Sequence, residues 1–224
     1  GTPDRPFAGT PAEGYSEGAE GIVVPSAAPI GDWTAAQVTA GLTAVRRALI
    51  LGHLDNRMLV HHDPTALLGV LSAGVRDQTR RAVTHDRSYT VQLDRGATLA
   101  RAAPRVHGTL SVRLEHDNER PVLAFTSNYV WAYAFEDAPD PVVVHDRIQW
   151  RIYRVGDVQE RDRGLRPYQS KSYLYDMDCA AARKGLVKPH PPVDPSADPA
   201  RAATDDPNSY YRPDHTLDIT GSCR

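Results

Sequence analysis

The sequence lacks most of the features that identify a chemistry directly. It contains no apolar run near the roughly 20 residues that cross a bilayer, no Gly-x-Ser-x-Gly nucleophile elbow and no glycine-rich phosphate loop. It also has only two cysteines, two methionines and three lysines, so nearly all of its positive charge comes from arginine. Its 26 basic and 28 acidic residues give a net charge of -2. This balance excludes the broad basic field that is typical of nucleic-acid-binding proteins.

What is present suits one domain with extensions. A chain of 224 residues with 41% hydrophobic content can bury a substantial core. Residues 1–31 are rich in Gly, Pro and Ala and predict an arm that lies over the domain or is partly disordered. Residues 32–160 carry the periodic patterns of a core domain, and residues 161–224 form a Pro-rich, poorly packed extension. The polar start of the chain leaves room for an upstream membrane anchor or signal segment.

Two helix starts are readable in the first half of the chain. Thr34 and Gln37 have the spacing of a capping box, and a long helix is predicted from there to about Leu54. Its buried stripe follows helical spacing and consists of Val38, Leu42, Val45 and Leu49. Asp63-Pro64 predicts a second, short helix, because Asp caps a helix and Pro suits its first turn. Residues 75–100 are predicted as loop, short helix and edge strand.

Three strand patterns follow, separated by short turns. They read "RVHGTLSVRLEH", "VLAFTSNYVWAYAFE" and "VVVHDRIQWRIYRV". Long strands joined by short turns predict an antiparallel meander. Helices followed by such a sheet indicate an α+β fold with helices packed on one sheet face. This arrangement resembles the cone-shaped fold of the nuclear transport factor 2-like superfamily and the related cystatin-like fold.

One face of the predicted sheet is the candidate ligand site. Aromatic side chains from the second strand and polar side chains from the third are expected to share it. Aromatic rings beside arginines can stack on and hydrogen-bond a ligand, a glycan or a peptide. The alternative is that the aromatics pack under a helix or the N-terminal arm and the arginines cover them. The residues concerned are Tyr129, Trp131, Tyr133, His145, Arg147 and Arg151.

A metal site is not expected, although four of the nine histidines are followed by aspartate. Metal-dependent phosphohydrolases with His-Asp motifs hold their ligands on converging helices, whereas His116 falls at a turn and His145 on a strand. The adjacent His61 and His62 would point about 100° apart on a helix. Asp63 already has a structural role as a helix cap. We therefore predict no metal and no cofactor.

The two cysteines are predicted to pair. Cys223 ends a long Pro-rich segment, and a disulfide to Cys179 would hold that segment against the domain. In the loop-entropy description this cross-link contributes about 4 kcal/mol. It would also place the protein in an oxidising, extracytoplasmic compartment.

Four segments together resemble a known family. They are "FAGTPAEGYSEGAEGIVVP", "LDNRMLVHHDPTALLGVLS", "SNYVWAYAFE" and "DRIQWRIY", and the chain is similar there to a family of uncharacterised secreted or membrane-anchored actinobacterial proteins. The resemblance covers most of residues 7–155 and the Cys-ended tail. It implies a domain that is extracellular or anchored with its face to the outside, and it implies no chemistry. In other members a proline often follows the aspartate that corresponds to Asp55, where this chain has Asn56.

Two functions remain open at this point. The first is an extracytoplasmic, non-catalytic binding or scaffolding module of the bacterial cell envelope. Its partner would be an envelope protein, a peptide or a glycan, with no nucleic acid and with a homodimer left open. The second is a small-molecule isomerase, dehydratase or cyclase that uses His145 or another buried His/Asp pair for acid-base chemistry. An enclosed cavity with a polar pair at its floor would favour the enzyme.

Overall fold

The computed structural model describes residues 1–190 and 206–218 and has an α+β fold. Its five-stranded antiparallel sheet has the strand order β1-β2-β3-β4-β5. The strands are β1 (Ser16–Glu17), β2 (Arg105–Asp117), β3 (Arg120–Tyr133), β4 (Val142–Tyr153) and β5 (Arg166–Tyr175). The helices are α1 (Ala35–His53), α2 (Asn56–Leu59), α3 (Thr65–Gly69), α4 (Arg76–His85) and α5 (Cys179–Ala182).

The predicted meander is confirmed as β2, β3 and β4, and the chain adds a strand that was not predicted. β5 pairs with β4 along an antiparallel register that shifts at a bulge between Gln149 and Trp150. Its sequence "RPYQSKSYLY" carries a polar, exposed centre, so it has no alternating apolar face that would mark it as a strand. The sheet therefore continues past residue 160, into the segment that was predicted as an extension.

Helix α1 begins where the capping box predicts. The Thr34 hydroxyl accepts the backbone N–H of Gln37 at 3.2 Å, and the Gln37 side chain accepts the Thr34 N–H at 2.8 Å. The helix then lies against the sheet at Gly41, where an added Cβ would overlap the ring of Phe125. Glycine at this position is what allows helix and sheet to approach so closely.

Asp63 lies at the start of α3, but Pro64 occupies the N-cap position that was predicted for Asp63. Its Oδ1 accepts the Thr65 N–H at 2.9 Å, and Arg57 donates to its other oxygen at 2.7 Å. Pro64 lies between Asp63 and Thr65 and directly precedes α3. The hydrogen bonds from Thr65, with the nearby Arg57 guanidinium, lower the pKa of Asp63 to about 2.

The sheet separates two cores. The larger one lies on the face that carries α1 and the following short helices, which we call the helix face. The smaller one lies on the opposite face and contains Phe7, Ala12 and Val130 together with Tyr211. Phe7 and Ala12 of the N-terminal arm therefore cover this second face, whereas Ile22 of the same arm packs in the larger core. The arm thus lies over the domain, as one of the two predictions for it requires. From the 206–218 segment, Tyr211 is buried in this smaller core, while most of the segment is half-buried or exposed; the poorly packed tail stays a prediction.

Two further predictions concern the cellular compartment of the protein. In the described part of the chain, no helix is long and apolar enough to cross a membrane. No free cysteine occurs among the described residues, but Cys223 lies outside them. Its pairing with Cys179 therefore stays a prediction.

Candidate functional site

The six predicted site residues do not share one surface. β3 and β4 pair with Tyr129 opposite Asp146 and Trp131 opposite Val144. Side chains directly opposite each other lie on the same face, so the odd-numbered residues of β3 share a face with the even-numbered residues of β4. The prediction placed His145 on the aromatic face and is wrong by one position of register. His145, Arg147 and Arg151 belong to the other face.

The three aromatic residues are part of the main core. Tyr129, Trp131 and Tyr133 are fully buried on the helix face. The Tyr133 hydroxyl donates to the carbonyl of His53 at 2.9 Å, at the end of α1. Burial raises the pKa of Tyr129 to about 12. These three residues therefore pack beneath a helix, which was the alternative to ligand binding.

His145 is also buried, on the opposite face. Asn128 donates to the carbonyl of Pro213 at 2.8 Å, which turns its oxygen toward His145 Nε2 at 2.9 Å. That nitrogen therefore donates its proton, and burial lowers the pKa of His145 to about 4. His145 is thus a neutral residue beneath the 206–218 segment, while Arg147 on the same strand is exposed.

The helix face contains a buried His/Asp pair that the sequence interpretation did not name. His53 Nε2 lies 2.6 Å from Asp146 Oδ2, and the two residues are 1% and 4% exposed. Trp131 Nε1 donates to the other Asp146 oxygen at 3.1 Å, and the Trp131 ring stacks on His53 with centroids 4.4 Å apart. His53 Nδ1 donates to the Leu49 carbonyl at 3.1 Å. All four polar atoms of the pair therefore have a partner within the protein.

A signal for this pair does exist in the sequence. Asp146 occupies an inward position of β4 between Val144 and Ile148, where the pattern is otherwise apolar. His53 continues the buried stripe of α1 one turn after Leu49. Polar residues on two apolar faces that pack together are expected to hydrogen-bond to each other, because a buried polar group without a partner is strongly destabilising.

A surface cavity of about 340 Å³ lies between α4 and the bulged ends of β4 and β5. The volume is at the lower end of typical ligand pockets, which are roughly 300–1,000 Å³. Arg151 lies 3.4 Å from the ring centroid of Tyr168 and is itself held by Glu115 at 3.5 Å and Asp117 at 3.7 Å. The lining includes Gln78, Thr79, Tyr89, Asp117, Arg151, Tyr153, Arg166 and Tyr168.

A second cavity of about 180 Å³ lies on the helix face of β4 and β5. Ser170, Ser172 and Asp146 line its sheet side, and residues 86–91 line its helix side. Tyr89 borders both cavities. We refer to the two cavities on either side of Tyr89 as the cleft. Arg151 is thus the one predicted ligand residue that lines it.

The loop that forms the wall of the cleft has an unusual backbone. Arg87 and Tyr89 have φ values of 55° and 65°. Left-handed conformations of bulky non-glycine residues are rare and tend to occur at functional sites. Gly185 packs against this loop, and an added Cβ there would collide with the Arg87 side chain. The wall is therefore held in a specific, strained shape.

Comparisons with known proteins found no match: no protein-family model, no curated protein and no solved structure matches the chain. The resemblance to an actinobacterial family therefore stays a prediction that rests on the four sequence segments. Among residues 1–190 and 206–218, no three His, Cys, Asp or Glu side chains are grouped so as to hold a metal ion.

The adjacent histidines that precede Asp63 have separate environments. His62 Nε2 donates to the Leu93 carbonyl at 2.8 Å, and His62 has a left-handed backbone with φ 54°. His61 is exposed. His62 thus fastens the α2–α3 junction to the loop at Leu93.

Proposed function

We propose that this chain is a non-catalytic binding module of the bacterial cell envelope, and that the cleft is its ligand site. The observation that carries the proposal is the exposed position of the Tyr168 side chain at the cleft. This ring is 46% exposed at the bulged end of the sheet, and it borders the larger cavity. The Arg151 guanidinium, held by two carboxylates, stacks on it at 3.4 Å and fixes its position. A rigid, exposed aromatic ring is a typical binding anchor.

Binding is favoured over catalysis because the buried acid-base pair has no unused polar atom. Both nitrogens of His53 and both oxygens of Asp146 bond to protein groups. A general base must be able to reach the proton that it removes. His53 does not line the cleft. Asp146 does line the smaller cavity, but both of its carboxylate oxygens are already hydrogen-bonded, one to His53 and the other to Trp131.

The fold type and the location belong to the same proposal. The packing of α1 against the aromatic face of the sheet supports a nuclear transport factor 2-like or cystatin-like cone. The sequence resemblance and the predicted Cys179–Cys223 disulfide support an extracytoplasmic location. Mass measurement of the chain made in an oxidising compartment should give a value lower by two hydrogen atoms than after reduction. Free thiols on that material would remove the support that the cysteines give.

One observation favours the enzymatic alternative. Asp146 lines the smaller cavity, so a His/Asp pair does lie beneath a cleft. An isomerase or dehydratase of this type would exchange protons next to a carbonyl group. Deuterium uptake from D2O into a panel of small ketones and aldehydes, detected by NMR, tests it. Uptake with the wild type that is lost in Asp146→Asn would establish the enzyme and overturn the non-catalytic proposal.

The binding proposal is tested by mapping ligands onto the cleft. Soluble peptides and oligosaccharides released from cell envelopes are titrated into isotope-labelled protein. We expect backbone NMR shifts at residues 86–91 and 166–172, and their loss in Tyr168→Ala. Arg5→Ala is the control, because Arg5 forms an exposed ion pair with Glu13 on the N-terminal arm. Shifts confined to other surfaces, or shifts that survive in Tyr168→Ala, would contradict the proposed site.

A further inference from the structure

We infer that the ligand of the cleft is a neutral carbohydrate, a short oligosaccharide that stacks on Tyr168 and extends past Tyr89 toward Asp146. This inference rests on the proposed binding function and names the chemical class of the ligand. Three independent features of the cleft support it: the exposed ring, the pairing of its charges and the hydroxyl-rich second cavity.

The first feature is a stacking platform. Arg151 covers one side of the Tyr168 ring, so the exposed surface belongs to the rest of the ring. The C–H face of a sugar ring is apolar, and it buries that surface well against an aromatic face. Tyr153 lies nearby with Arg166 over its ring at 5.4 Å, which provides a second planar group in the same cavity.

The second feature is the compensation of charge. Each arginine that lines the larger cavity has a carboxylate within 4 Å. Arg151 has Glu115 and Asp117, and Arg166 has Asp162 at 3.4 Å. An anionic ligand would meet these carboxylates and be repelled. A sugar hydroxyl can donate to a carboxylate and accept from a guanidinium at once. Alternating Arg and Asp groups therefore match neutral polyols better than charged ligands.

The third feature is the second cavity, which supplies further groups of the same kind. Ser170 and Ser172 contribute hydroxyls from β5, and the Asp146 carboxylate lies at the floor. Both cavities of the cleft are thus lined by polar groups that can hydrogen-bond to sugar hydroxyls.

The experiment uses titration calorimetry and NMR with defined probes. These are neutral oligosaccharides of glucose, mannose, arabinose and N-acetylglucosamine, acidic oligogalacturonate, and a neutral tetrapeptide. We expect at least one neutral oligosaccharide to bind, with shifts at the cleft. Tyr168→Ala should weaken this binding about tenfold or more, because stacking and burial of the ring are lost. Tyr168→Phe keeps the ring and should bind nearly as the wild type, and so should the control Arg5→Ala.

Salt dependence separates the ligand classes. Binding of a neutral sugar should change little between low and high ionic strength, whereas an anion held by arginines should bind more weakly as salt rises. Cleft binding of only the oligogalacturonate or only the peptide would overturn the carbohydrate inference and leave the binding function standing. If none of these probes moves cleft resonances, the inference fails. If, in addition, the envelope extract moves none, the proposed function fails with it.

Discussion

Replacement of Asp146 gives the sharpest test of the buried pair beneath the cleft. His53 Nδ1 donates to a backbone carbonyl, which can only accept, and Nε2 faces a carboxylate oxygen. One proton is therefore shared between Nε2 and Oδ2 in the native state. In Asp146→Asn, the new amide can donate to the unprotonated Nε2 of neutral His53 while its oxygen still accepts from Trp131. Every hydrogen bond of the pair is kept, and only the charge on the pair is lost.

The expected free energies of unfolding follow from this difference. Hydrogen bonds to charged groups contribute about 1.5–3 kcal/mol and neutral ones about 0.5–1.5 kcal/mol, so Asp146→Asn should destabilise by about 1–2 kcal/mol. Asp146→Ala removes both acceptors and leaves His53 Nε2 and Trp131 Nε1 without their hydrogen-bond partner. Breaking a buried pair in this way is expected to destabilise by about 3–5 kcal/mol. For a chain of this size, that lowers the melting temperature by roughly 10 °C.

Urea denaturation followed by tryptophan fluorescence measures both variants, with thermal melts as a second readout. His53→Ala should be about as destabilising as Asp146→Ala. The double variant should be much less destabilising than the sum, because the two residues act as one unit. Two results would refute the reasoning: Asp146→Asn as unstable as Asp146→Ala, or Asp146→Ala within about 1 kcal/mol of the wild type.

Three further predictions concern other parts of the fold. His145 has a native pKa of about 4 against an unfolded value near 6.5, so the unfolded chain binds the extra proton between these pH values. Stability should therefore fall by up to about 3 kcal/mol as the pH drops from 6.5 to 4; urea titrations across this range should show the loss, and His145→Asn should remove it. Asp63→Ala should destabilise by about 1 kcal/mol in denaturation because the Thr65 N–H loses its acceptor, while Asp63→Asn keeps an oxygen acceptor there and should destabilise less. Gly41→Ala should destabilise by about 1–3 kcal/mol because its Cβ meets the Phe125 ring, and a stabilised variant would show that the ring can move.

Local patterns predicted the elements whose causes are local. The start of α1 follows from Thr34 and Gln37, and the helix start near Asp63 from one side chain and a proline. The long strands β2, β3 and β4 followed from alternation between turn signals. In each of these cases, the groups that determine the structure are within a few residues of one another.

The candidate site depends on which faces of neighbouring strands lie on the same side of the sheet, and alternation within one strand does not determine this. The faces of β3 and β4 were each assigned correctly within the strand, but which face of one joins which face of the other depends on register. A shift of one residue exchanges the faces completely. The turn between β3 and β4 spans residues 134–141 and is too long for its turn type to fix the register. β5 and its bulge were missed for a related reason, since the Gln169–Lys171 stretch is polar on both faces.

The cleft combines a rigid floor with a strained wall. Its floor is the sheet, where the His53–Asp146 pair and Trp131 hold one another by hydrogen bonds and stacking. Its wall is the 86–91 loop. The Asp86 N–H donates to the Ala82 carbonyl at one end, and the Val91 N–H donates to the Gly52 carbonyl at the other. Left-handed residues persist only where surrounding contacts determine them. Because Tyr89 is such a residue and lines both cavities, its ring borders the path that an oligosaccharide would take from Tyr168 toward Asp146. Tyr89→Gly should therefore relieve the backbone strain and widen that path, and titration calorimetry should then detect binding of a bulkier neutral oligosaccharide than the wild type accepts.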